Sequence, residues 1–351
     1  MHRRVFGRED EGTALLVGDV PVSFRALREL IRARQQRLEA LPRGVAVLRA
    51  SRRLDFIVNC LALLEWGFPQ ALFAPEWTGP EQEVRRRRLG RCFELDDELK
   101  VVREQPEEGP PLHSETALVL FTSGSTGAPR AVQLSRINVE ANLRAVLASL
   151  DFHAAREQVL LLPLSYAFGL LGQLLPGLVA GTRTRLVGNL VELKALAEAG
   201  ELRGMISGVP SHFETLLRLL GSASFPEVSH VVSAGAPLSV PLRQRLREAF
   251  PRAHLYTNYG QTELSPRALC LRSDDPAFFS SATGYPVEGL SVKLTDSGEL
   301  CFRGKQVMLG YLGDEAATRE RLRDGWLQTG DLARLEPDGL VTVLGRNDEL
   351  L

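Results

Sequence analysis

The sequence predicts an α/β protein with two α/β subdomains of mostly parallel sheet and a smaller, barrel-like β-rich subdomain. Over about residues 1–260, apolar strand-like runs alternate with helix-like stretches, a rhythm typical of βαβ units. An acidic, Pro-rich surface connection interrupts this rhythm at residues 96–113. From about residue 261 to residue 345, short strands and turns rich in Gly, Pro and Asp replace the helices, which favours the β-rich subdomain.

The elements before the connection begin with two short strands around the turn at Gly18. Strands are predicted at residues 14–17, 21–24, 44–48 and 69–73, with helices from Ser23 to about residue 41 and over residues 53–66. Ser23 is a suitable N-cap for the first helix, and Gly67 a suitable end for the second. The run from Arg85 to Arg88 is interpreted as a solvated helix face.

The elements after the connection begin with a strand pair around residues 118–121 and 132–134 and a long helix over residues 137–150. Further strands are predicted near residues 159–164, 184–187, 204–209 and 230–233, with helices near 167–179, 191–199, 212–219 and 240–250. The β-rich part contains strands near residues 291–294, 299–302, 332–335 and 341–344. No internal repeat is visible in the sequence.

Composition excludes several classes of function. The 351 residues carry a formal net charge of -1, with 44% hydrophobic and 24% charged residues, so neither a nucleic-acid partner nor an anionic membrane surface is indicated. No apolar run has the length of a membrane span, and the polar N-terminus does not resemble a signal peptide. The four cysteines are scattered without disulfide or metal spacing, which favours a reducing, cytoplasmic setting.

The densest chemical signal is a Ser/Thr/Gly loop that follows an apolar strand. Its residues are Thr122, Ser123, Gly124, Ser125, Thr126 and Gly127, and Arg130 follows. Glycines let backbone N–H groups turn toward an anion, and hydroxyl groups add donors without bulk, so the loop can cradle phosphate groups. It lacks the Gly-Lys-Ser/Thr ending of a P-loop. The alternative interpretation is a flexible surface linker.

The stretch from Thr122 to Arg130 closely resembles the signature of the adenylate-forming superfamily. This superfamily includes acyl- and aryl-CoA synthetases, nonribosomal adenylation domains and firefly luciferase. Three further motifs follow in the order of that family: residues 258–263 (Asn-Tyr-Gly-Gln-Thr-Glu), 326–331 (Trp-Leu-Gln-Thr-Gly-Asp) and 345–349 (Gly-Arg-Asn-Asp-Glu). The resemblance covers essentially the whole chain.

This resemblance implies that a carboxylate attacks the α-phosphorus of ATP, expels pyrophosphate and forms an acyl-AMP. It implies that the loop residues from Thr122 to Gly127 and Arg130 hold the leaving phosphates. It gives catalytic roles to Arg130, to Thr262, as a donor to the α-phosphate, and to Glu263, as the Mg²⁺ ligand. The remaining nucleotide contacts that it implies are Gly235, Ala236, Pro237, Asn258, Tyr259 against the adenine, Gly260, Asp331 on the ribose hydroxyls and Arg346 on ribose or phosphate. The alternatives are a core aromatic for Tyr259, a surface acid for Glu263, a turn residue for Asp331 and a structural ion pair for Arg346.

The acid-binding pocket follows from the same resemblance. Its expected residues are Tyr166, Phe168, His212, Ser233, Gly235 and Asn258. Core packing is the alternative for Tyr166 and Phe168, because aromatic side chains often simply fill space. His212, Ser265 and Arg267 could approach the acid or its substituents, although structural roles are favoured for these three. Amino-acid-activating relatives place an Asp where this chain has Ala167, which disfavours a free α-amino acid.

Three residues depart from the signature. Arg130 stands where the family usually has Lys, which keeps the cation but replaces a point charge by a planar fork. Ala131 replaces the usual Gly, and Arg136 the usual His. The charge and the hydroxyl groups of the loop are retained.

In the family, the hinge that residues 346–351 begin is followed by a lid domain of about a hundred residues. We therefore expect residues 1–345 to be the N-terminal core of such an enzyme, with the C-terminal domain missing. Adenylation by this chain should then be slow, and transfer to a thiol nearly absent.

The expected function is activation of an acyl or aromatic carboxylic acid with ATP and Mg²⁺. The full enzyme would transfer the acyl group to coenzyme A or to the phosphopantetheine of an acyl carrier protein. The alternatives are a catalytically silent nucleotide-binding module and an amino-acid-activating domain.

Overall fold

The computed structural model describes residues 11–122 and 129–347. The strands of this part are, in chain order, β1 (Thr13–Val17), β2 (Val20–Ser23), β3 (Val45–Arg49), β4 (Gln70–Phe73), β5 (Cys92–Leu95), β6 (Val101–Gln105), β7 (Thr116–Thr122), β8 (Arg130–Ser135), β9 (Glu157–Leu160), β10 (Arg183–Leu186), β11 (Gly204–Gly208), β12 (Val228–Ser233), β13 (His254–Tyr259), β14 (Leu269–Arg272), β15 (Tyr285–Pro286), β16 (Leu290–Leu294), β17 (Glu299–Gly304), β18 (Gly310–Tyr311), β19 (Leu322–Arg323), β20 (Trp326–Leu335) and β21 (Val341–Arg346).

The helices of the same residues are α1 (Phe24–Gln35), α2 (Leu54–Trp66), α3 (Gly79–Leu89), α4 (Arg136–Ser149), α5 (Phe152–Ala155), α6 (Ala167–Gly169), α7 (Leu175–Ala180), α8 (Leu190–Glu198), α9 (Pro210–Leu220), α10 (Val240–Ala249) and α11 (Glu315–Arg321). A π-helical turn over Leu170–Leu174 joins α6 to α7, and 3₁₀ turns occupy Leu38–Ala40, Thr262–Leu264 and Pro276–Phe279.

The strands form two mixed sheets and one antiparallel sheet. Within the described residues, the largest sheet has nine strands in the order β15-β14-β13-β12-β11-β9-β10-β1-β2, and the six strands from β13 to β1 run parallel. The second has seven strands in the order β18-β8-β7-β4-β3-β5-β6, with β7, β4, β3 and β5 parallel. The third is an antiparallel sheet of β16, β17, β19, β20 and β21. The predicted α/β class with a smaller β-rich part is confirmed.

Local sequence signals explain where the first helices begin and end. The Ser23 side chain accepts a hydrogen bond from the Ala26 N–H group at 3.1 Å, as an N-cap should. Gly67 ends α2 with φ of 84°, a left-handed conformation that glycine adopts without steric strain. The predicted start of α1 and end of α2 are therefore confirmed, whereas α1 ends at Gln35 and not near residue 41 as predicted.

The arginine run on α3 is only partly solvated, so its interpretation as a solvated face was wrong for Arg86. That side chain is buried and forms an ion pair with Glu94 at 2.9 Å. The Arg85 guanidinium lies 3.8 Å from the centre of the Trp77 ring, a cation–π contact. Arg87 remains exposed on the outer face of the helix.

Helix α4 ties the small antiparallel sheet to the large ones through two buried asparagines. Asn138 Nδ2 donates to the carbonyl groups of Lys305 and Val307, both at 2.8 Å. Asn142 Nδ2 donates to the carbonyl groups of Leu264 and Arg267 at 3.2 and 3.1 Å. Because buried carbonyl groups need partners, these bonds fix the end of the Thr262–Leu264 turn and the segment from Lys305 to Val307.

The buried His230 generates a prediction about pH. Burial, and next the neighbouring His254, lower the pKa of His230 to about 4, with Asp151 opposing and Arg272 adding to the shift. In the unfolded chain a histidine binds its proton near pH 6.5. The unfolded chain therefore binds more protons between these values, and folding stability falls as the pH drops from about 6.5 to about 4.

We expect the variant His230→Gln to lose less stability than the wild type between pH 7 and pH 5, by on the order of 1 kcal/mol. Thermal unfolding followed by circular dichroism at both pH values measures the difference. His153→Gln, which changes an exposed histidine, is the matched control and should behave as the wild type does. Equal acid sensitivity in all three proteins would contradict the assignment.

Candidate functional site

The Ser/Thr/Gly loop is bracketed by a strand pair. Thr122 at the end of β7 lies directly opposite Arg130 at the start of β8 in an antiparallel register. The predicted phosphate contacts Ser123, Gly124, Ser125, Thr126 and Gly127 lie outside the described residues. The structure therefore shows where the loop begins and ends. Thr122 and Arg130 pair where β7, the outermost of the parallel strands in the seven-stranded sheet, lies beside antiparallel β8.

Tyr311 connects Arg130 to Glu263. Its hydroxyl group donates to Glu263 Oε1 at 2.8 Å, and the Arg130 guanidinium carbon lies 5.2 Å from the centre of its ring. Burial, and next the Glu263 carboxylate, raise the pKa of Tyr311 well above its usual range, so the phenol stays protonated and acts as the donor. β18 carries Tyr311 to this position by pairing with β8.

The predicted catalytic residues Thr262 and Glu263 occupy the 3₁₀ turn that follows β13, and both are half-buried. The Glu263 carbonyl group accepts a hydrogen bond from the Met308 N–H group at 2.9 Å. The turn is therefore held by this backbone bond as well as by Asn142 of α4.

Asp331 is the most strongly held acidic side chain of the site. It is 6% exposed, and its Oδ2 atom accepts hydrogen bonds from the Tyr259 hydroxyl group at 2.5 Å and from Gln261 Nε2 at 2.9 Å. Arg346 Nη1 lies 3.5 Å from Oδ1. Burial, and next the Asp331 charge, raise the pKa of Tyr259 well above its usual value, so Tyr259 donates to the carboxylate.

Gln261 also binds the backbone of the strand that carries Asp331. Its Nε2 atom donates to the Thr329 carbonyl group at 3.0 Å, and the Thr329 hydroxyl group accepts from the Asp331 N–H group at 3.1 Å. These contacts join the end of β13 to β20. Gly260, which precedes Gln261, packs so closely that a Cβ atom there would collide with the Pro266 carbonyl oxygen.

A cleft of about 720 Å³ lies beside this network. Among its walls are most of the residues predicted to contact the nucleotide: Gly235, Ala236, Pro237, Asn258, Tyr259, Gly260, Asp331 and Arg346. These residues come from the β12–α10 loop, the end of β13, β20 and β21. Segments that are far apart in the sequence thus meet at one cavity.

The residues expected around the acid are spread more widely. Asn258 Nδ2 donates to the Ser233 carbonyl group at 3.1 Å, so these two are adjacent. Phe168 packs against a buried apolar cluster. His212 is half-buried near the start of α9, and burial lowers its pKa. The Tyr166 residue is 43% exposed and interacts with Glu76, which precedes α3.

Sequence reasoning missed Tyr311, Gln261 and Asn142 as supports of the site. Tyr311 and Glu263 are 48 residues apart in the chain, and Asn142 and Leu264 are 122 residues apart. No local pattern marks such partners, because their positions depend on how the sheets pack. Gln261 lies within a recognised motif, and its position between Gly260 and Thr262 was the available signal.

The described residues contain no group of three or more His, Cys, Asp and Glu side chains placed to hold a metal ion. Among the helices of the described part, none combines the length and apolar character that crossing a bilayer requires.

Comparison with known proteins identifies relatives across the chain. The family model of AMP-binding enzymes matches residues 73–312. An acyl-CoA ligase of Ajellomyces capsulatus is 32% identical over 252 residues, which cover 66% of this chain and 43% of that protein. A long-chain-fatty-acid–CoA ligase of Salmonella typhimurium is 30% identical, with coverage of 68% and 45%. A feruloyl-CoA synthase of Amycolatopsis sp is 28% identical, with coverage of 83% and 61%. The chain thus spans less than half the length of the first two relatives.

Solved structures share the fold. The o-succinylbenzoate CoA synthetase of Bacillus subtilis, in complex with ATP and magnesium ion, aligns with a TM-score of 0.81 at 22% identity and covers 97% of this chain and 78% of that one. ATP-bound MatB of Rhodopseudomonas palustris aligns with a TM-score of 0.81 at 18% identity, with coverage of 97% and 77%. At these identities the likeness establishes the fold.

We expect Gln261→Ala to lower the free energy of unfolding by about 1–3 kcal/mol, because the Asp331 carboxylate and the Thr329 carbonyl group both lose a buried donor. Urea unfolding followed by fluorescence measures the change. Gln36→Ala, at an exposed position, is the control and should change the stability by less than about 0.5 kcal/mol. Equal stability of the two variants would show that the network does not hold the sheets together.

Proposed function

The chain belongs to the AMP-binding enzyme family, and from that premise we propose that it binds ATP in the cleft beside Asp331 and activates a carboxylic acid as an acyl-AMP. The observation that carries the proposal is the convergence of residues 235–237, Tyr259, Asp331 and Arg346 on one cavity of about 720 Å³. A cavity of this size suits a nucleotide-sized ligand.

Asp331 is proposed to bind the ribose hydroxyl groups. Both of its short hydrogen bonds from Tyr259 and Gln261 go to Oδ2. Oδ1, which lies 3.5 Å from Arg346 Nη1, can accept further donors. A carboxylate offers about four lone-pair sites. Because its neighbours already hold the side chain in one orientation, little conformational entropy would be lost when a nucleotide binds.

The proposed reaction is a displacement at phosphorus. An oxygen of the acid carboxylate forms a bond to the α-phosphorus of ATP, and the bond from that phosphorus to the bridging oxygen breaks, so that pyrophosphate leaves with the electron pair. Charge on the phosphate oxygens grows in the transition state, and positioned donors stabilise it. Thr262 is proposed to donate to the α-phosphate, and Arg130 with the loop from Thr122 to Gly127 to hold the departing pyrophosphate.

The acidic side chain at Glu263 fits a magnesium ion. Tyr311 donates to its Oε1 atom, and no hydrogen bond or ion pair among the described residues involves Oε2. Mg²⁺ is commonly held by one or two carboxylates together with substrate phosphates and water, so a single protein carboxylate is sufficient. The ion would neutralise phosphate charge during the displacement.

We further propose coenzyme A as the acceptor of the acyl group, which the names of the relatives as CoA ligases support; the phosphopantetheine of a carrier protein is the other thiol of the same chemistry. The substrate is proposed to be a small carboxylic acid other than an α-amino acid, since Ala167 is apolar and buried. A cytoplasmic setting is supported by four free cysteines, which are typical of a reducing compartment.

Two measurements test the proposed function. Isothermal titration should show that the chain binds ATP more tightly with Mg²⁺ than without it, and also binds AMP. Exchange of labelled pyrophosphate into ATP should depend on added acid in a panel of aliphatic and aromatic acids. Failure to bind ATP, AMP and a sulfamoyl analogue of an acyl-AMP would refute the proposal, and binding without any acid-dependent exchange would favour a catalytically silent nucleotide-binding module.

Two substitutions should separate the roles of the acidic side chains. Asp331→Asn is expected to weaken AMP and ATP binding alike by about tenfold or more, because a carboxylate oxygen that accepts from the ribose becomes an amide nitrogen. Glu263→Gln is expected to weaken ATP binding only when Mg²⁺ is present and to leave AMP binding unchanged. Isothermal titration measures both effects.

Glu336→Gln, which changes an exposed carboxylate, is the control for these titrations and should bind as the wild type does. Loss of AMP affinity in Glu263→Gln, or wild-type affinity in Asp331→Asn, would show that the two roles are wrongly assigned.

A further inference from the structure

Tyr311 lies between two opposite charges of the candidate site that do not pair with each other. Its hydroxyl group donates to Glu263 Oε1 at 2.8 Å, and the Arg130 guanidinium carbon lies 5.2 Å from the centre of its ring. Within the part of the chain that the structure describes, no hydrogen bond or ion pair involves the Arg130 guanidinium, and the Glu263 carboxylate accepts a hydrogen bond from Tyr311 alone. A carboxylate and a guanidinium thus flank one tyrosine and remain unpaired.

Elsewhere in the described part of the chain, neighbouring opposite charges do form ion pairs. Arg346 Nη1 lies 3.5 Å from Asp331 Oδ1 beside the same cleft, and Arg86 Nη2 lies 2.9 Å from the Glu94 carboxylate. Arg130 and Glu263 are both half-buried, and attraction between opposite charges is less screened there than in bulk water. Their separation therefore calls for a reason.

The backbone around Tyr311 fixes the position of its ring. Tyr311 lies opposite Val132 in the β18–β8 pair, so Arg130, two residues before Val132, is its diagonal neighbour on the same face. The same segment holds the backbone of Glu263, because the Met308 N–H group donates to the Glu263 carbonyl group at 2.9 Å. Tyr311 is 4% exposed. A buried ring therefore has one charged neighbour on its face and another at its hydroxyl group.

A neutral partner has an advantage over a direct ion pair at this position. If Arg130 and Glu263 paired with each other, a ligand would have to break that pair before it could bind either side chain. The tyrosine hydroxyl group binds one oxygen of Glu263 and leaves the other oxygen for a metal ion. The face of the ring attracts the Arg130 guanidinium without occupying any of its N–H donors. Both side chains are thus oriented in advance, which reduces the cost of binding.

We propose that Tyr311 is a positioning residue that keeps the Glu263 carboxylate and the Arg130 guanidinium apart, so that each stays available to a ligand. The hydroxyl group orients the carboxylate toward a divalent cation, and the ring orients the guanidinium toward the phosphate groups that leave. This inference rests on the proposed function, which gives Glu263 and Arg130 those ligands. Tyr311 acts through its two neighbours and takes no part in the displacement at phosphorus.

Two substitutions separate the two contacts of Tyr311. Tyr311→Phe removes the hydroxyl group and keeps the ring, whereas Tyr311→Leu removes both. Isothermal titration of the whole chain measures the binding of ATP with and without Mg²⁺, of AMP, and of inorganic tripolyphosphate without metal. Tyr285→Phe is the matched control, because the Tyr285 hydroxyl group also donates to a carboxylate, that of Asp338, at 3.4 Å, and neither residue lines the cleft.

We expect Tyr311→Phe to reduce the gain in ATP affinity that Mg²⁺ provides by about fivefold or more, while its affinities for AMP and tripolyphosphate stay within about twofold of the wild type. Tyr311→Leu should lose the same gain and should also bind tripolyphosphate about fivefold more weakly, because the Arg130 guanidinium loses the ring that orients it. AMP should still bind to Tyr311→Leu as to the wild type. Tyr285→Phe should match the wild type in every titration.

A second experiment tests the separation of the charges without any ligand. In the wild-type background, Glu263→Gln and Arg130→Gln should shift the melting temperature independently, so that the shift of the double variant equals the sum of the two single shifts. In the Tyr311→Leu background the carboxylate and the guanidinium should pair, and the double variant should then depart from that sum. Thermal unfolding followed by circular dichroism measures these shifts.

A wild-type gain from Mg²⁺ in Tyr311→Phe overturns the proposal, even if Tyr311→Leu does not fold. An equal loss of affinity for ATP, AMP and tripolyphosphate in Tyr311→Phe also overturns it, because that pattern shows a general loss of structure. If the wild type binds no nucleotide but Glu263 and Arg130 become coupled only in the Tyr311→Leu background, the inference stands and the proposed function fails. If neither binding nor coupling is observed, both fail.

Discussion

The hydrogen bonds to the Asp331 carboxylate are the constraint on which the candidate site depends. β20 of the antiparallel sheet carries Asp331, and the end of β13 in the nine-stranded sheet carries the donors Tyr259 and Gln261. A carboxylate that is 6% exposed is strongly unfavourable unless it is paired. Separating the two sheets here would leave the buried Asp331 carboxylate without its hydrogen-bond donors, which is energetically costly. These bonds therefore help to hold together the two sheets beside the cleft.

The second half of the site is built on α4 and β18 in the same way. Asn142 binds carbonyl groups at the end of the turn that presents Glu263, and Asn138 binds those of Lys305 and Val307. Tyr311 donates to one oxygen of the Glu263 carboxylate. The strand ends at Thr122 and Arg130 meet opposite each other. Hydrogen-bonded elements thus hold the two ends of the Ser/Thr/Gly loop and the turn with Glu263, and functional residues often lie on loops positioned by such a scaffold.

The sequence alone predicted the fold class, the family, the start of α1 and the end of α2, because these depend on periodicity, capping residues and ordered motifs. It predicted which residues meet at the cleft only through resemblance, and their roles remain predictions. It could not show that Gln261 and Tyr311 support the two acidic side chains, or that Arg86 is buried against Glu94. Those contacts depend on packing between segments that are distant in the sequence, and a local sequence pattern does not predict such packing.

The central claim is that Asp331 and Tyr259 form the floor of a nucleotide site. A crystal structure of the chain with AMP tests it most directly. The account predicts a ribose hydroxyl group within hydrogen-bonding distance of Asp331 and the adenine ring beside Tyr259, with the Gln261 contact to the carboxylate intact. AMP bound elsewhere, or bound in the cleft with its ribose turned away from Asp331, would contradict the account.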